Sequence, residues 1–312
     1  MKQQQPIRAL GIYHDIDGLW QRAIVVSDGI DVLEVHPLER MKTPVLKDCN
    51  LIGVGSVPGR MPPCDPAQLA AQSGVTVIFD LRLSDLSLGG RGTPLSPFYL
   101  HALARSKHGT APVAFLRLEG SASVVWVDPA INDPCADEAV MAFEVGPALD
   151  ALSALHAQRP EGTFKGGRVV DGALELFLDE PFFRRMPPKW IGAQDFEQML
   201  SLVYELADAD AEATLCGMTA TALLLATEHF PKPTEAIVAY GSGTGHEMLM
   251  RLTNAGLSQP MKLAQDWGME PDSLGAQTTA FLAIRAKLGL PTTGPMTTGV
   301  SAAVGGGTQT RP

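Results

Sequence analysis

The chain contains 312 residues, of which 45% are hydrophobic and 19% are charged. This length and composition are enough to build the cores of two modest domains or of one large domain. The formal net charge is -10, and an acidic chain without lysine and arginine clusters argues against nucleic acid or an anionic membrane as the main partner. We therefore expect an ordinary soluble protein with neither of these partners.

The cysteines and histidines are dispersed along the chain, and no C-x-x-C spacing occurs. Such dispersion indicates neither a zinc site nor a disulfide framework, so we expect no resident metal and a reduced, cytoplasmic setting. The N-terminal segment MKQQQPIRALGIYHD has no apolar core of a secretory signal. No apolar run reaches the roughly 18 residues that a membrane-spanning helix needs.

Short strands open the chain, separated by the turn-forming segments HDIDG and DG. Residues 37–66 are rich in proline and glycine, which predicts a loop with one short strand in it. The predicted elements of this part are strands 7–13, 21–27, 30–35, 51–54 and 75–79, and helices 66–72 and 97–106.

A second group of strands follows, and the pattern becomes mostly helical beyond Gly192. The predicted elements are strands 113–118, 123–127, 140–145 and 237–240, and helices 147–156, 195–206, 211–228, 246–252 and 273–288. The tail AAVGGGTQTRP lacks apolar periodicity and is expected to be frayed. This order predicts an α/β protein with two lobes, the second sheet beginning near Pro112.

Three strands end in glycine-rich turns, within YHDIDG (13–18), FEVGPA (143–148) and YGSGTG (240–245). Each could present backbone N–H groups and a helix N-terminus to a phosphate. A single turn of this kind is a weak signal because most strand-to-helix turns favour glycine. Three of them in both halves of the chain predict a nucleotide held in a cleft between two lobes.

Two charged residues are candidates for chemistry. Glu144 lies where an apolar strand ends at Gly146-Pro147, so its carboxylate either faces a ligand cleft or caps the following helix. Lys189 follows two prolines in MPPKWIG, where it either binds a phosphate or carboxylate or is a solvated loop residue. Both pairs of alternatives stay open on the residues alone.

The segment DLRLSDLSLGGRGTPLSP, residues 80–97, resembles a signature of the anhydro-N-acetylmuramic acid kinases, D-F-R-x-x-D-x-A-x-G-G-x-G-A-P-L-x-P. Four further segments are similar to family motifs: EPFFRRMPPKWIGAQDF, ADAEATLCGMTATALL, YGSGTGHEMLMRL and GLPTTGPMTTGV. The resemblance extends from about Pro66 to Val300. It implies a two-lobed actin-like sugar-kinase fold, with ribonuclease H-like lobes and a cleft between them.

The resemblance also implies a division of the chain and an activity. The lobes would be residues 1–111, shortened relative to the family, and 112–300, with a flexible tail over 301–312. The implied enzyme uses ATP and Mg²⁺ to convert 1,6-anhydro-N-acetylmuramic acid to N-acetylmuramic acid 6-phosphate. Water opens the anhydro bridge in this reaction, which serves cell-wall recycling. A homodimer is the implied assembly.

Several segments depart from the family pattern. The family's Gly-Thr-Ser turn, which contacts the ATP phosphates, is absent from GIYHDIDGLW, where Asp17 and Gly18 are kept. The family's N-I-G-G-x-x-N becomes RLEGSAS, and its F-D-x-G-P-G-N becomes FEVGPAL, with Glu144 at the aspartate position. These changes support an alternative, a catalytically impaired relative that binds a sugar or nucleotide as a sensor or partner protein.

The resemblance assigns roles to residues by their place in these motifs. Glu144 corresponds to the base that activates water. The residues assigned to ATP are Asp17, Gly18, Gly146, Pro147, Gly241, Ser242 and Gly243. The residues assigned to the sugar are Asp80, Arg82, Asp85, Gly89, Gly90 and Lys189.

Overall fold

The computed structural model describes residues 5–42, 49–257 and 261–312. Its strands are β1 Ile7–His14, β2 Trp20–Ser27, β3 Val32–Met41, β4 Leu51–Ser56, β5 Thr76–Phe79, β6 Val113–Leu118, β7 Ala122–Val127, β8 Val140–Gly146, β9 Ala236–Tyr240, β10 Lys262–Leu263 and β11 Thr308–Thr310. Its α-helices are α1 Pro66–Ser73, α2 Leu83–Ser87, α3 Pro97–His108, α4 Leu149–Gln158, α5 Asp171–Leu178, α6 Ala193–Ser201, α7 Asp208–Thr227, α8 Glu247–Gly256, α9 Leu274–Lys287 and α10 Pro295–Thr298.

The strands of the described residues form two sheets with a common order. The first runs β11-β5-β4-β1-β2-β3 and the second runs β10-β9-β6-β7-β8. In each sheet three successive strands lie side by side, and later strands continue beyond the first of the three: β4, β5 and β11 in the first sheet, and β9 and β10 in the second. The pairs β1–β4 and β6–β9 are parallel. The repeated order confirms the predicted α/β class with two ribonuclease H-like lobes, while the cleft between the lobes stays a prediction.

Two compact units contain the described residues, and they do not follow the predicted division of the chain. The first unit combines residues 1–111, 127–140 and 270–312, and the second combines 112–126 and 141–269. The prediction of one lobe over 112–300 is therefore corrected, because the last part of the chain returns to the first unit. The predicted frayed tail is also corrected, because β11 pairs with β5 in antiparallel register.

Helix α9 explains why the last part of the chain joins the first unit. It lies so close to the first sheet that a Cβ added to Gly11 would lie 1.9 Å from the carbonyl oxygen of Ala276. A Cβ at Gly53 would lie 2.6 Å from the carbonyl oxygen of Thr279. Glycine inside a strand allows another backbone to approach at this distance. Glycines of β1 and β4 thus provide the surface on which α9 packs.

The second unit has its own hydrophobic core between the second sheet and the helices α4 and α7. Trp126, Phe143, Leu155 and Leu215 are among its buried residues.

Several elements differ from the prediction. Among them, strand β3 continues to Met41 where a loop was expected, and helix α5 occupies a segment for which no helix was predicted. Among the described residues, no helix combines the length and apolarity that a membrane crossing requires.

Candidate active site

A pocket of about 300 Å³ lies within the second unit. It is lined by Ser121, Glu144, Asp150, Ile191, Gly192, Ala193, Phe196 and Glu197. These residues come from three separate segments: the turn after β6, the end of β8 with the start of α4, and the chain that enters α6. Each segment contains one of the motifs that the sequence comparison with the kinase family singled out.

Glu144 stands at the edge of this pocket and is fixed by the segment before α6. Its backbone N–H donates to the carbonyl of Lys189 at 2.9 Å, and its Oε2 accepts from the N–H of Ile191 at 2.6 Å. These two hydrogen bonds fix the position of the backbone and the orientation of the carboxylate. Of the two open alternatives, the structure favours the one in which the carboxylate faces a ligand site, because α4 begins without a side-chain cap.

Asp150 and the turn after β6 close another side of the pocket. The N–H of Asp150 donates to the carbonyl of Gly120 at 3.0 Å. A Cβ added to Gly120 would lie 2.9 Å from Asp150 Oδ2, so the turn and this carboxylate are in close contact. Ser121 follows directly and also lines the pocket.

The entry to α6 is held by a paired ionic contact. Arg185 Nη1 and Nη2 donate to Asp195 Oδ2 and Oδ1 at 2.7 and 2.6 Å, and Asp195 Oδ2 also accepts from the N–H of Gly192 at 2.9 Å. The hydrogen bonds from Arg185 keep the pKa of Asp195 below its usual range. This arrangement fixes the pocket wall at Gly192.

Lys189, which the sequence assigned to the sugar, is not among the residues that line this pocket. Its Nζ lies 4.8 Å from the ring centroid of Phe182, 5.8 Å from that of Phe183 and 6.0 Å from that of Phe143. We call these three rings the phenylalanine cage. Burial lowers the pKa of Lys189, and the charge of Arg185 lowers it further. Lys189 is buried, so the alternative of a solvated loop lysine is wrong. A contact of its ammonium with the sugar remains a prediction.

Gly146 and Pro147 connect the strand that carries Glu144 to α4. A Cβ added to Gly146 would lie 2.8 Å from the Cβ of Ala222 in α7, and the carbonyl of Pro147 accepts from Thr219 Oγ1 at 2.6 Å. Proline has no N–H to offer a phosphate. The observed contacts of this pair are with α7, and a direct contact with ATP remains a prediction.

The turn Gly241-Ser242-Gly243 packs against the end of β6. Gly241 has φ +98°, and a Cβ there would lie 2.6 Å from the carbonyl oxygen of Leu118. Ser242 is exposed, and His246 caps α8 by accepting the N–H of Leu249 on Nδ1 at 3.3 Å. The second unit thus offers Ser242 at an accessible turn, which keeps its assignment to ATP as a prediction.

In the first unit, the turn between β1 and β2 is organised by a carboxylate of the chain itself. Asp15 Oδ1 accepts from the N–H groups of Asp17 at 3.1 Å and Leu19 at 2.9 Å. Arg40 Nη2 donates to Asp15 Oδ2 and, at 2.9 Å, to Asp17 Oδ2. The N–H groups of Asp17 and Leu19 therefore already donate to Asp15 and are not available to a phosphate. Asp17 and Gly18 themselves are exposed.

The charged residues Asp80 and Arg82, which follow β5, have different roles in the first unit. Asp80 is exposed and has φ +53°, a left-handed conformation that aspartate adopts more readily than most residues. Arg82 donates through Nη1 to the carbonyl of Gly92 at 2.5 Å and through Nη2 to that of Ser56 at 3.2 Å. Burial lowers the pKa of Arg82. Its guanidinium joins the glycine loop to the end of β4.

Asp85 is completely buried, and its carboxylate is bonded to the protein itself. Oδ1 accepts from the N–H of Gly92 at 2.6 Å, and Oδ2 accepts from the hydroxyls of Thr293 at 2.6 Å and Thr298 at 2.5 Å. A Cβ added to Gly90 would lie 2.1 Å from Asp85 Oδ1. These contacts give Asp85 a structural role, and its contact with the sugar remains a prediction.

Gly89 differs from its neighbour Gly90. It has φ +84° and is exposed, and a Cβ there would contact nothing within 4 Å. The left-handed backbone explains the glycine without any ligand. The structure therefore gives Gly89 and Gly90 roles in shaping the loop, and a contact of either with the sugar remains a prediction.

Sequence reasoning assigned Glu144 to the site but missed several of the pocket residues. Asp150, Ile191 and Glu197 carried no motif signal of their own in the sequence. Asp150 lies six positions beyond Glu144, just after the turn of FEVGPALD, and that position was the one available clue. The meeting of this segment with 191–197 depends on tertiary packing.

Comparison with known proteins is consistent with the motifs. The family model of the anhydro-N-acetylmuramic acid kinases matches residues 53–311. An anhydro-N-acetylmuramic acid kinase of Ruegeria sp. (strain TM1040) is 41% identical over 290 residues, which cover 91% of this chain and 74% of the relative. One of Cereibacter sphaeroides is 40% identical over 252 residues, covering 78% of this chain and 68% of the relative.

A weaker structural similarity extends beyond these relatives. The activator of the 2-hydroxyisocaproyl-CoA dehydratase from Clostridium difficile with bound ADPNP matches with a TM-score of 0.42 and 13% identity, covering 89% of this chain and 94% of that chain. This similarity is too weak to bear on function. The sequence relatives described above carry the kinase name, and nothing in them favours the impaired alternative. The chain belongs to the anhydro-N-acetylmuramic acid kinase family.

Proposed function

We propose that the protein is an ATP-dependent kinase that converts 1,6-anhydro-N-acetylmuramic acid to N-acetylmuramic acid 6-phosphate. Membership in the family supports this activity. The observation that carries the assignment to a site is the pocket in the second unit, where three motif-bearing segments meet around Glu144. A site that gathers carboxylates, a hydroxyl and backbone groups from separate segments fits a polyhydroxy substrate.

Glu144 is the proposed general base. Its carboxylate takes a proton from water, the resulting hydroxide attacks the anomeric carbon, and the C1–O bond of the anhydro bridge breaks. The released O6 then accepts the γ-phosphoryl group of ATP, which leaves ADP. The N–H of Ile191 donates to Oε2 and so fixes the orientation of the carboxylate, as a general base requires. Among the described residues, Glu144 Oε1 has no hydrogen-bond partner and is available to the water.

We propose that nucleotide phosphates bind mainly through the second unit. The N–H groups of Asp17 and Leu19 already donate to Asp15, so the turn after β1 offers fewer donors than a phosphate turn provides. The exposed Ser242 turn and the Ser121 turn are the remaining candidates. Contacts of Asp17, Gly18, Gly241 and Gly243 with ATP stay part of the proposal.

Magnesium fits the carboxylates of the pocket. No group of three histidine, cysteine or acidic side chains with metal-binding geometry occurs in the described ranges. Kinase Mg²⁺ needs less than that, because it is held by one or two carboxylates together with substrate phosphates. Asp150 and Glu197 are the residues that would supply these oxygens. When bound, the ion neutralises charge on the transferred phosphoryl group.

Two further parts of the proposal concern the setting of the protein. We propose that the protein works in the cytoplasm, because the reaction uses ATP and its substrate is released by cell-wall turnover. A homodimer is the assembly expected from the family resemblance. Size-exclusion chromatography with light scattering measures that assembly directly.

The activity is tested by incubating the purified protein with ATP, Mg²⁺ and 1,6-anhydro-N-acetylmuramic acid and analysing the products by mass spectrometry. We expect N-acetylmuramic acid 6-phosphate and ADP in equal amounts. Glu144→Ala should abolish the product, whereas Glu161→Ala, at an exposed position outside the pocket, should leave it unchanged. Absence of product together with no ATP binding by calorimetry would reject the proposed kinase activity. Activity in Glu144→Ala would reject the role of Glu144 as the general base.

A further inference from the structure

Lys189 is a buried cation whose partners are aromatic rings. The residue is 5% exposed, and its Nζ lies over the phenylalanine cage at 4.8 to 6.0 Å from the three ring centroids. Its polar neighbour is His229 Nε2, at 3.5 Å. Burial lowers the pKa of Lys189, and the charge of Arg185 lowers it further. Burial and the charge of Lys189 lower the pKa of His229. Among the described residues, no carboxylate forms an ion pair with Lys189, so the cage provides the attraction that holds its ammonium.

The cage and the pocket lie on opposite faces of β8. Phe143 belongs to the cage and Glu144 lines the pocket. Successive residues of a strand point to opposite faces, so these two neighbours are directed apart. β8 is the edge strand of the second sheet, and the segment 189–191 runs along that edge. The cage on one face and the pocket on the other are thus linked by this segment.

Segment 189–191 makes the two hydrogen bonds that fix Glu144. The carbonyl of Lys189 accepts from the N–H of Glu144 at 2.9 Å. The N–H of Ile191 donates to Glu144 Oε2 at 2.6 Å. Both depend on where the segment lies along β8. Lys189 is the most deeply buried residue of the segment, while Trp190 and Ile191 are partly buried.

We propose that Lys189 is a positioning residue: its ammonium, held in the phenylalanine cage, fixes segment 189–191 so that the Ile191 amide orients the carboxylate of Glu144. This inference rests on the proposed function, since it takes Glu144 as the base. It gives the buried lysine a role that direct sugar binding does not supply. A small misplacement of a catalytic group is enough to slow a reaction on the order of a hundredfold.

The kinetic test compares Lys189→Ala, Lys189→Arg and the control Lys165→Ala at an exposed lysine. We expect Lys189→Ala to lower kcat by roughly tenfold to a hundredfold with KM changed by less than about twofold. Arginine also interacts with aromatic faces, so Lys189→Arg should recover most of kcat. Equal loss in the alanine and arginine variants would overturn the proposal.

A second readout does not require activity. Exchange of the Ile191 amide, whose N–H donates to Glu144 Oε2, is followed by ¹⁵N NMR. Lys189→Ala should speed this exchange, whereas Lys165→Ala should leave it unchanged. A folded Lys189→Ala variant in which the exchange stays unchanged would overturn the proposal. An inactive wild-type protein would reject the kinase, while this experiment would decide the role of Lys189 independently.

If Lys189→Ala does not fold, the variant Lys189→Met can be used in its place. Lys189→Met has a side chain of similar length without charge, so it retains packing against the rings and removes the cation. Faster Ile191 exchange in Lys189→Met than in Lys189→Arg would support the proposal. Equal exchange in these two folded variants would overturn it.

Discussion

Asp85 and Glu144 are both acids in motifs shared with the kinase family, and the structure treats them in opposite ways. Asp85 is fully buried in the first unit, and its two oxygens accept from one amide and two hydroxyls of the protein. Glu144 stands in a pocket of the second unit and accepts from one amide only, that of Ile191. A motif acid is therefore free for chemistry only to the extent that the fold leaves its oxygens unused.

Glu144→Gln should produce the largest effect on activity. The amide cannot take a proton from water, so we expect kcat to fall by about 10²- to 10⁴-fold. The amide oxygen can still accept from the Ile191 N–H, so the free energy of unfolding should change by less than about 1 kcal/mol. Steady-state kinetics and urea denaturation measure the two quantities. A large loss of stability would mean that Glu144, like Asp85, serves the fold.

Asp85→Ala should produce the largest effect on stability. It removes a buried acceptor from Gly92, Thr293 and Thr298 and leaves their donors unpaired, which should lower the free energy of unfolding by about 3–5 kcal/mol. Asp17→Ala, at an exposed acid, is the control and should change it by less than about 1 kcal/mol. Urea denaturation checks both. If Asp85→Ala folds as stably as wild type but cannot bind sugar, the original assignment to sugar binding is right.

Gly90→Ala and Gly89→Ala probe the packing around Asp85. A Cβ at Gly90 would lie 2.1 Å from Asp85 Oδ1, so this variant should lose about 3 kcal/mol of stability. A Cβ at Gly89 contacts nothing within 4 Å, and only its φ of +84° opposes alanine, at about 1 kcal/mol. Combined with Asp85→Ala, Gly90→Ala should lose less than it does alone because the clashing oxygen is gone. Additive losses would contradict this account.

The sequence could predict what depends on neighbours along the chain. Most strands, the Gly146-Pro147 turn and the position of Glu144 at a strand end follow from local patterns. The burial of Asp85 could not be predicted in this way, because its partners Thr293 and Thr298 lie 208 and 213 positions later. The return of α9 to the first unit depends on contacts equally distant in sequence.

The same limit applies to two residues near the site. Nothing in MPPKWIG predicts that the ring of Phe143, 46 positions earlier, contacts the ammonium of Lys189. Nothing in the local sequence of Asp150 predicts its close contact with the turn at Gly120. In both cases the residue type is visible in the sequence, while its neighbours depend on tertiary packing.

Asp195 is intermediate between Asp85 and Glu144, and its pair with Arg185 predicts the smallest effect. Its pKa in the folded protein lies below the ordinary value of about 3.9, mainly because of the hydrogen bonds from Arg185. The pair therefore stabilises the protein above about pH 4, and this contribution is lost as the pH falls through the lowered pKa. Because Arg185 is half exposed, we expect the pair to contribute about 1 kcal/mol to the free energy of unfolding.

The variant Arg185→Met tests this contribution. Its free energy of unfolding, measured by urea denaturation, should be lower than that of wild type by this amount at pH 7 and by much less at pH 2.5. An equal difference at both pH values would assign the effect to packing of Arg185 on Phe182 instead of to its ionic contact.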